Sequence, residues 1–171
     1  MIKAQIEAKN GEWQNAKQTL LHAYNLPGVK EPAYDDTKVH ASESLPFGFE
    51  DRVKVFILLS EVLCELKEFD EAKKILNKAV SEFQGSTNEV KVIIGQANMF
   101  MKMGDLKKAL NMLKKVDQHH PNYIEAKKKM ADIYLQELRD WKSYTWCYME
   151  ILDQDPSISN YKMVANALMD I

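Results

Sequence analysis

Two adjacent histidines, His119 and His120, come closest to a chemical motif in this sequence, and their chemistry would be metal binding. Neighbouring residues at a helix end point in different directions, so the two imidazoles are poorly placed to share one ion. No cysteine or further histidine completes a zinc-ligand spacing around them. We therefore expect a solvent-exposed helix terminus here, not a metal site.

The two cysteines, Cys64 and Cys147, each lie within a helical apolar pattern, and no Cys-x-x-Cys is present. Both are expected to be buried, reduced thiols of a cytosolic protein. The sequence has no glycine-rich phosphate loop, no Gly-x-Ser-x-Gly and no His-Glu-x-x-His. The aromatic residues Tyr144, Trp146 and Tyr148 are at helical spacing, which favours packing over a cofactor site. We predict no enzyme, no cofactor and no metal.

Composition places the chain among ordinary helical proteins. It has 171 residues, of which 46% are hydrophobic and 28% charged, and its net charge is −2. That balance gives no overall attraction to nucleic acid, and no apolar run is long enough to insert directly into a membrane. Glycine and proline number 6 and 5 and cluster at boundaries, which favours long helices joined by short turns.

One pattern occurs three times along the chain. A turn residue is followed by a bulky apolar residue, an alanine three positions later and a leucine four positions after that; the alanines are Ala16, Ala72 and Ala109. Such spacing puts the three side chains on one helical stripe, with alanine where two helix axes come closest. It is typical of the second helix of a tetratricopeptide repeat. Small residues (Ser60, Ala97 and Ala131) mark the matching close-packing positions of first helices.

The repeats define the expected architecture. Ala72 and Ala109 are 37 residues apart, close to the tetratricopeptide period of about 34. We predict an all-α, right-handed α-solenoid of antiparallel helix pairs with about nine helices. The segments are a partial first repeat (1–24), a long loop insertion (25–49), a second repeat (50–84), a third (87–121), a fourth (122–156) and the first helix of a truncated fifth (157–171).

Two segments depart from the pattern. The fourth repeat has Tyr144 where alanine is expected, and its turn, Gln136–Asp140, is one residue longer. The 25–49 segment has three prolines and no periodicity, which predicts either a mobile insertion or a loop whose Leu45–Phe49 stretch packs onto neighbouring helices.

Both ends of the array look cut. The last helix would expose Tyr161, Val164, Leu168 and Ile171, and Met1–Lys9 lacks a preceding neighbour. We expect a piece of a longer array, and we expect this piece to self-associate end to end.

First helices line the inner groove of such solenoids, so they supply the candidate partner-binding residues. By repeat offset these are Lys54, Ile57, Glu61, Lys91, Ile94, Asn98, Lys102, Lys128 and Asp132. Some tetratricopeptide domains clamp a peptide carboxylate with lysine and asparagine at set positions. Asn98 matches one of them, but Ile94 stands where lysine is needed, which disfavours binding of chaperone tails.

Charge is uneven along the chain. Eight lysines and three acidic residues between Lys102 and Lys129 give a net +5, whereas Glu31–Glu71 has a net −7. Solvated helix faces explain this, or else the solenoid has an acidic and a basic end that steer charged partners.

Several strings resemble one family closely. Ala126–Asp140, Tyr148–Asp155, Lys107–Leu113 and Ile2–Gln5 are similar to the tetratricopeptide repeat protein 21 family. The resemblance implies an interior stretch of the large repeat subunit of intraflagellar transport complex A. It also implies a non-catalytic scaffold in retrograde ciliary transport, located in the cilium or flagellum and the cytoplasm. Its partners would then be other subunits of that complex.

Two alternatives remain. One is a tetratricopeptide adaptor or co-chaperone that binds peptide segments, which the isoleucine at the clamp position disfavours. The other is a helical repeat that binds nucleic acid through Lys102–Lys129, which the nearby acidic segment and the net charge of −2 disfavour.

Overall fold

The computed structural model describes residues 2–26, 29 and 48–169. In these ranges the chain forms nine α-helices and one π-helix without any strand, so the predicted all-α repeat fold is confirmed. The helices are α1 (Ile2–Lys9), α2 (Trp13–Tyr24), α3 (Phe49–Glu65), α4 (Phe69–Phe83), α5 (Glu89–Lys102), α6 (Leu106–Leu113), α7 (Tyr123–Asp132), the π-helix (Ile133–Glu137), α8 (Trp141–Gln154) and α9 (Ile158–Met169).

The helices form two compact units, Met1–Gly95 and Gln96–Ile171. The division falls inside α5, within the segment predicted as the third repeat. In the first unit, α1 packs on α2, α2 on α3, and α3 on α4. In the second, α6 packs on α7, α7 on α8, and α8 on α9.

Aromatic rings form the centre of the first unit. The Phe56 ring meets Tyr24 edge-on at a centroid distance of 5.1 Å and Phe83 at 5.7 Å. Edge-to-face pairs at such distances add stabilisation beyond the area that they bury. The three rings therefore tie α2, α3 and α4 together.

The small residues of the repeat pattern occupy the close contacts predicted for them. Ala16, Ala72 and Ala109 are wholly buried, and so are Ala97 and Ala131. Ser60 is buried too, and its hydroxyl donates to the carbonyl of Ile57. At these positions a larger side chain would push two helices apart. In the fourth repeat, Tyr144 takes the alanine position and is also buried, with its ring against Tyr148.

The turns inside the four repeats share one left-handed residue. Gly11, Lys67, Gly104 and Arg139 each stand two positions before a second helix, with φ of 78°, 61°, 81° and 54°. The amide after this residue closes the turn by donating back into the first helix, as from Glu68 to the Leu63 carbonyl at 2.9 Å. Glycine adopts this conformation freely, whereas a side chain makes it costly. Lys67 and Arg139 therefore hold strained backbone.

The π-helix accommodates the extra residue of the fourth repeat. Seven positions separate the buried small residue from the turn residue in the third repeat (Ala97 to Gly104), but eight in the fourth (Ala131 to Arg139). The additional residue widens one helical turn, and the amide of Leu138 donates to the carbonyl of Ile133 at 3.2 Å. The fourth repeat thus has the extra residue, but the π-helix takes it up, and the turn itself is no longer than in the other repeats.

Several expectations for single residues need correction. Val164, predicted on the exposed stripe of the last helix, is buried, because that side of α9 faces the interior of its unit. Trp146 does not pack as predicted, since it is 67% exposed. His119 is exposed as expected, but both histidines lie in the segment between α6 and α7, and the His120 ring accepts a hydrogen bond from the Asn122 amide. Ile171 and the stretch 45–47 of the proposed packing loop lie outside the described residues.

Candidate protein-binding surface

The candidate groove residues fall on faces of three first helices. Lys54, Ile57 and Glu61 share one face of α3 because they are three and four positions apart, and Lys128 and Asp132 share a face of α7. The members on α5 are Lys91, Ile94, Asn98 and Lys102, again at helical spacing. The residues up to Ile94 belong to the first unit and the others to the second.

The candidate face of α3 includes one local ion pair. Lys54 is exposed, and its Nζ lies 3.6 Å from Asp51 Oδ1 one turn before it. Ile57 is half-buried and Glu61 is exposed. An exposed pair of this kind is worth well under about 1 kcal/mol. The Lys54 and Glu61 side chains are therefore solvated.

An ion pair ties the start of α5 to α3 within the first unit. Lys91 Nζ lies 2.9 Å from Glu50 Oε2. Hydrogen bonding by Lys91 lowers the pKa of Glu50, with smaller help from Asn88. Ile94 is buried, so its side chain contributes packing more than contact with a partner. Gly95 on α5 allows a close approach to α4, because a Cβ there would lie 3.3 Å from Leu76 Cδ2.

The second-unit candidates offer polar groups. Asn98 is half-buried, and its Oδ1 is buried without a hydrogen-bond donor among the described residues. Lys102 and Lys128 are exposed. Asp132 is exposed as well, yet desolvation by its surroundings raises the pKa of its carboxyl, opposed by the charges of Lys129 and Lys128. The exposed charges of Lys102, Lys128 and Asp132 are therefore the groups of this set that a partner could reach.

The two cysteines lie inside the described helices, where solvent barely reaches them. Cys64 and Cys147 are free and buried, as predicted. Burial raises the pKa of Cys147 to about 11, so its thiol is protonated and a poor nucleophile at neutral pH. Residues 2–26, 29 and 48–169 contain no group of three or more His, Cys, Asp or Glu side chains that could hold a metal ion. None of the described helices has the length and hydropathy needed to cross a membrane.

Sequence reasoning missed one buried residue of the loop segment. Val29 is wholly buried, and its carbonyl accepts hydrogen bonds from Arg52 Nε and Nη2, each at 3.2 Å. Arg52 Nη2 also donates to Glu82 Oε2 at 2.5 Å, and its guanidinium lies 5.7 Å from the Phe83 ring centre. An arginine within an apolar helical pattern could have signalled that Arg52 is buried, but not which residue it contacts.

Helix pairs closed by left-handed turns, with small residues at the close contacts, define a helical repeat protein of the tetratricopeptide class. The chain belongs to the tetratricopeptide repeat protein 21 family. The family model described as "Tetratricopeptide repeat protein 21 ARM repeat" matches residues 1–151. Proteins of this repeat class are typically non-catalytic scaffolds.

Relatives of the same family align with this chain over its whole length. Tetratricopeptide repeat protein 21B of Mus musculus is 37% identical over 171 residues, which is 100% of this chain and 13% of the mouse protein. The human protein 21B is 35% identical over 175 residues, again covering 100% of this chain and 13% of the relative. The Caenorhabditis elegans homolog is 28% identical, over 100% of this chain and 12% of its own length. The chain thus spans about an eighth of these relatives.

Proposed function

We propose that this chain is a non-catalytic protein-binding segment of a scaffold subunit of intraflagellar transport complex A. It acts in retrograde ciliary transport and cilium assembly, in the cilium or flagellum and the cytoplasm. Membership of the tetratricopeptide repeat protein 21 family over the whole chain carries the proposal. The partners are other proteins, chiefly subunits of that complex. The proposed activity needs no cofactor, metal, nucleic acid or membrane insertion.

The described surfaces support protein binding over chemistry. The candidate face of α3 exposes Lys54 and Glu61, and that of α7 exposes Lys128 and Asp132. Charged side chains on an exposed helix face can pair with opposite charges of a partner protein. Burial of both thiols removes the strongest nucleophiles in the described part of the chain.

A co-chaperone role gains no support. The carboxylate clamp needs a lysine at the position of Ile94, and that isoleucine is buried. An apolar buried side chain cannot pair with a peptide carboxylate.

Affinity purification of the full-length protein from ciliated cells tests the proposal. We expect the subunits of intraflagellar transport complex A to co-purify with it. Replacing the exposed groove residues together (Lys54→Glu, Lys128→Glu and Asp132→Lys) should remove at least one subunit. A matched charge reversal on a second helix, Lys73→Glu, should leave the set unchanged.

Two results would overturn parts of the proposal. Purification without any subunit of the complex would reject the ciliary assignment. Retention of every subunit by the triple variant would reject the groove as the contact face.

A further inference from the structure

The outer face of α6 carries positive charge alone. This helix buries Ala109, Leu110 and Leu113 and turns Lys107, Lys108 and Asn111 to solvent, and the exposed Lys114 is the residue at its C-terminal end. Lys115, just after the helix, is exposed too. Lys107, Lys114 and Lys115 form no salt bridge within the described ranges, whereas Lys108 pairs with Asp105.

Other second helices provide an internal comparison. The outer face of α4 mixes Asp70, Glu71, Lys73 and Lys74, and Lys74 Nζ lies 2.7 Å from Glu71 Oε1. Such pairs, one turn apart, are the ordinary pattern of a solvated helix. The exposed residues Gln14, Asn15 and Gln18 of α2 are uncharged. Unpaired like charges on α6 repel one another, so stability of this chain alone does not explain them.

An exposed aromatic group lies on α8 in the same unit. Trp146 is 67% exposed, and Met149, one turn further along, is 40% exposed. Lys142, one turn before Trp146, is also exposed. Tryptophan is enriched among the side chains that contribute most to protein interfaces, and methionine adapts to varied apolar surfaces.

The segment that follows α6 contacts the end of α8. Gln154 Nε2, at the end of α8, donates to the carbonyl of Gln118, four residues after Lys114. The charge of Lys114 also reaches Cys147, the residue after Trp146, where it opposes the effect of burial on the thiol. The lysines and the tryptophan therefore belong to neighbouring parts of one unit.

We propose that Lys107, Lys114, Lys115, Lys142, Trp146 and Met149, here called the Lys–Trp surface, bind an acidic segment of a partner protein that carries a large apolar side chain. The inference rests on the proposed function, because it names the chemistry of a partner. Carboxylates of the segment pair with the lysines, and its apolar side chain packs on Trp146 and Met149. Because the charges of the surface are positive, a complementary partner segment is acidic.

Single-stranded nucleic acid is the competing occupant, since it also combines phosphate with stacking bases. Acidic residues argue against it. Asp153 follows Trp146 by two turns on the same helix, and Asp155 comes just after. They would repel a phosphate backbone that continued along α8, whereas a short acidic segment can stop before them.

Fluorescence anisotropy with labelled peptides tests the surface. The probes are 16-residue peptides rich in Glu and Asp that carry one Phe or Leu at varied positions, the same peptides with Ala in its place, and a single-stranded oligouridine. We expect the whole chain to bind at least one apolar-bearing acidic peptide. Lys114→Glu with Lys115→Glu should weaken that binding at least tenfold, and Trp146→Ala at least fivefold. Lys73→Glu with Lys74→Glu, on α4, is the matched control and should change it less than twofold.

The following outcomes would contradict the inference. Absence of peptide binding, equal loss in the α4 control, or equal binding of Phe and Ala peptides would reject the Lys–Trp surface as described. Tighter binding of oligouridine with the same dependence on Lys114 and Trp146 would assign it to nucleic acid. The purification described above separates the two proposals, because complex subunits would still co-purify if only this surface were wrong. Circular dichroism melting of each variant checks that it folds.

Discussion

Arg52 donates two hydrogen bonds to the backbone carbonyl of Val29, each 3.2 Å long, across 23 positions of sequence. Both residues are buried, and the same guanidinium pairs with Glu82. A buried arginine is stable only with its acceptors in place, because desolvating its charge is costly. This contact fixes the Val29 backbone against α3 and α4.

Replacing Arg52 with alanine should therefore destabilise the chain. We expect a loss of about 3 kcal/mol in the free energy of unfolding, because Glu82 would keep a buried charge without its guanidinium partner. Urea denaturation measures the loss. Lys54→Ala, on the same helix but exposed, is the control and should change stability by less than about 0.5 kcal/mol. Equal midpoints for both variants would show that the Arg52 contact is not formed in solution.

The strained turns offer stabilising substitutions. Lys67→Gly and Arg139→Gly should each raise the unfolding free energy by roughly 0.5–1 kcal/mol, since glycine adopts positive φ without a Cβ clash. Gly104→Ala should lower it by a similar amount. Thermal melts of the three variants measure the change. Destabilisation by both glycine substitutions would mean that the gain in unfolded-state entropy outweighs the relief of strain.

The extra residue in the π-helix should be dispensable. Deleting Gln136 restores the seven-position spacing of the third repeat and lets the widened turn close as an ordinary α-helical turn. We expect the helical circular dichroism signal and a cooperative melt to be retained. Deleting Asn98 from α5 is the control, since it would rotate every later side chain of that helix out of register and should abolish cooperative unfolding. An unfolded Gln136 deletion would show that the π-helix is required for folding.

Cys147 should react slowly with alkylating reagents. Its pKa of about 11 leaves far less thiolate at pH 8 than a free cysteine has. In a Cys64→Ala background, we expect Cys147 of the folded chain to react with iodoacetamide roughly two orders of magnitude more slowly than in the unfolded chain. The rate should rise about tenfold per pH unit below pH 11. Mass spectrometry follows the adduct, and the urea-unfolded chain is the control. A rate equal to that of the unfolded chain would place the thiol at the surface.

End-to-end association is the remaining prediction. Tyr161 and Leu168 on α9 are 54% and 47% exposed, and Ile2 and Ile6 on α1 are 75% and 53% exposed. Contact between α9 of one copy and α1 of another would bury both sets. Light scattering over a concentration series should show growing mass, which Leu168→Lys abolishes and Ser159→Lys does not. A constant monomeric mass for the unmodified chain would exclude the contact.

The repeat architecture was readable from the sequence because its signals are local. Alanine at the close contact and a leucine one turn later recur in the second helices of the first three repeats, and Ala72 and Ala109, 37 residues apart, are wholly buried as that pattern requires. Burial of both cysteines followed from the same helical spacing, as did the extra residue of the fourth repeat, although that residue lies in the π-helix and not in the turn. The groove residues were placed by repeat offset alone, and their role stays a prediction.

Tertiary structure decided what depends on residues far apart in the chain. No local pattern pairs Arg52 with Val29, because a backbone carbonyl has no sequence signature. Helical spacing placed Trp146 near other aromatic residues but could not say which side of α8 has a neighbour, and the folded unit leaves it exposed. The same limit misplaced Val164, since which side of a two-sided apolar helix is covered depends on the helix that packs against it.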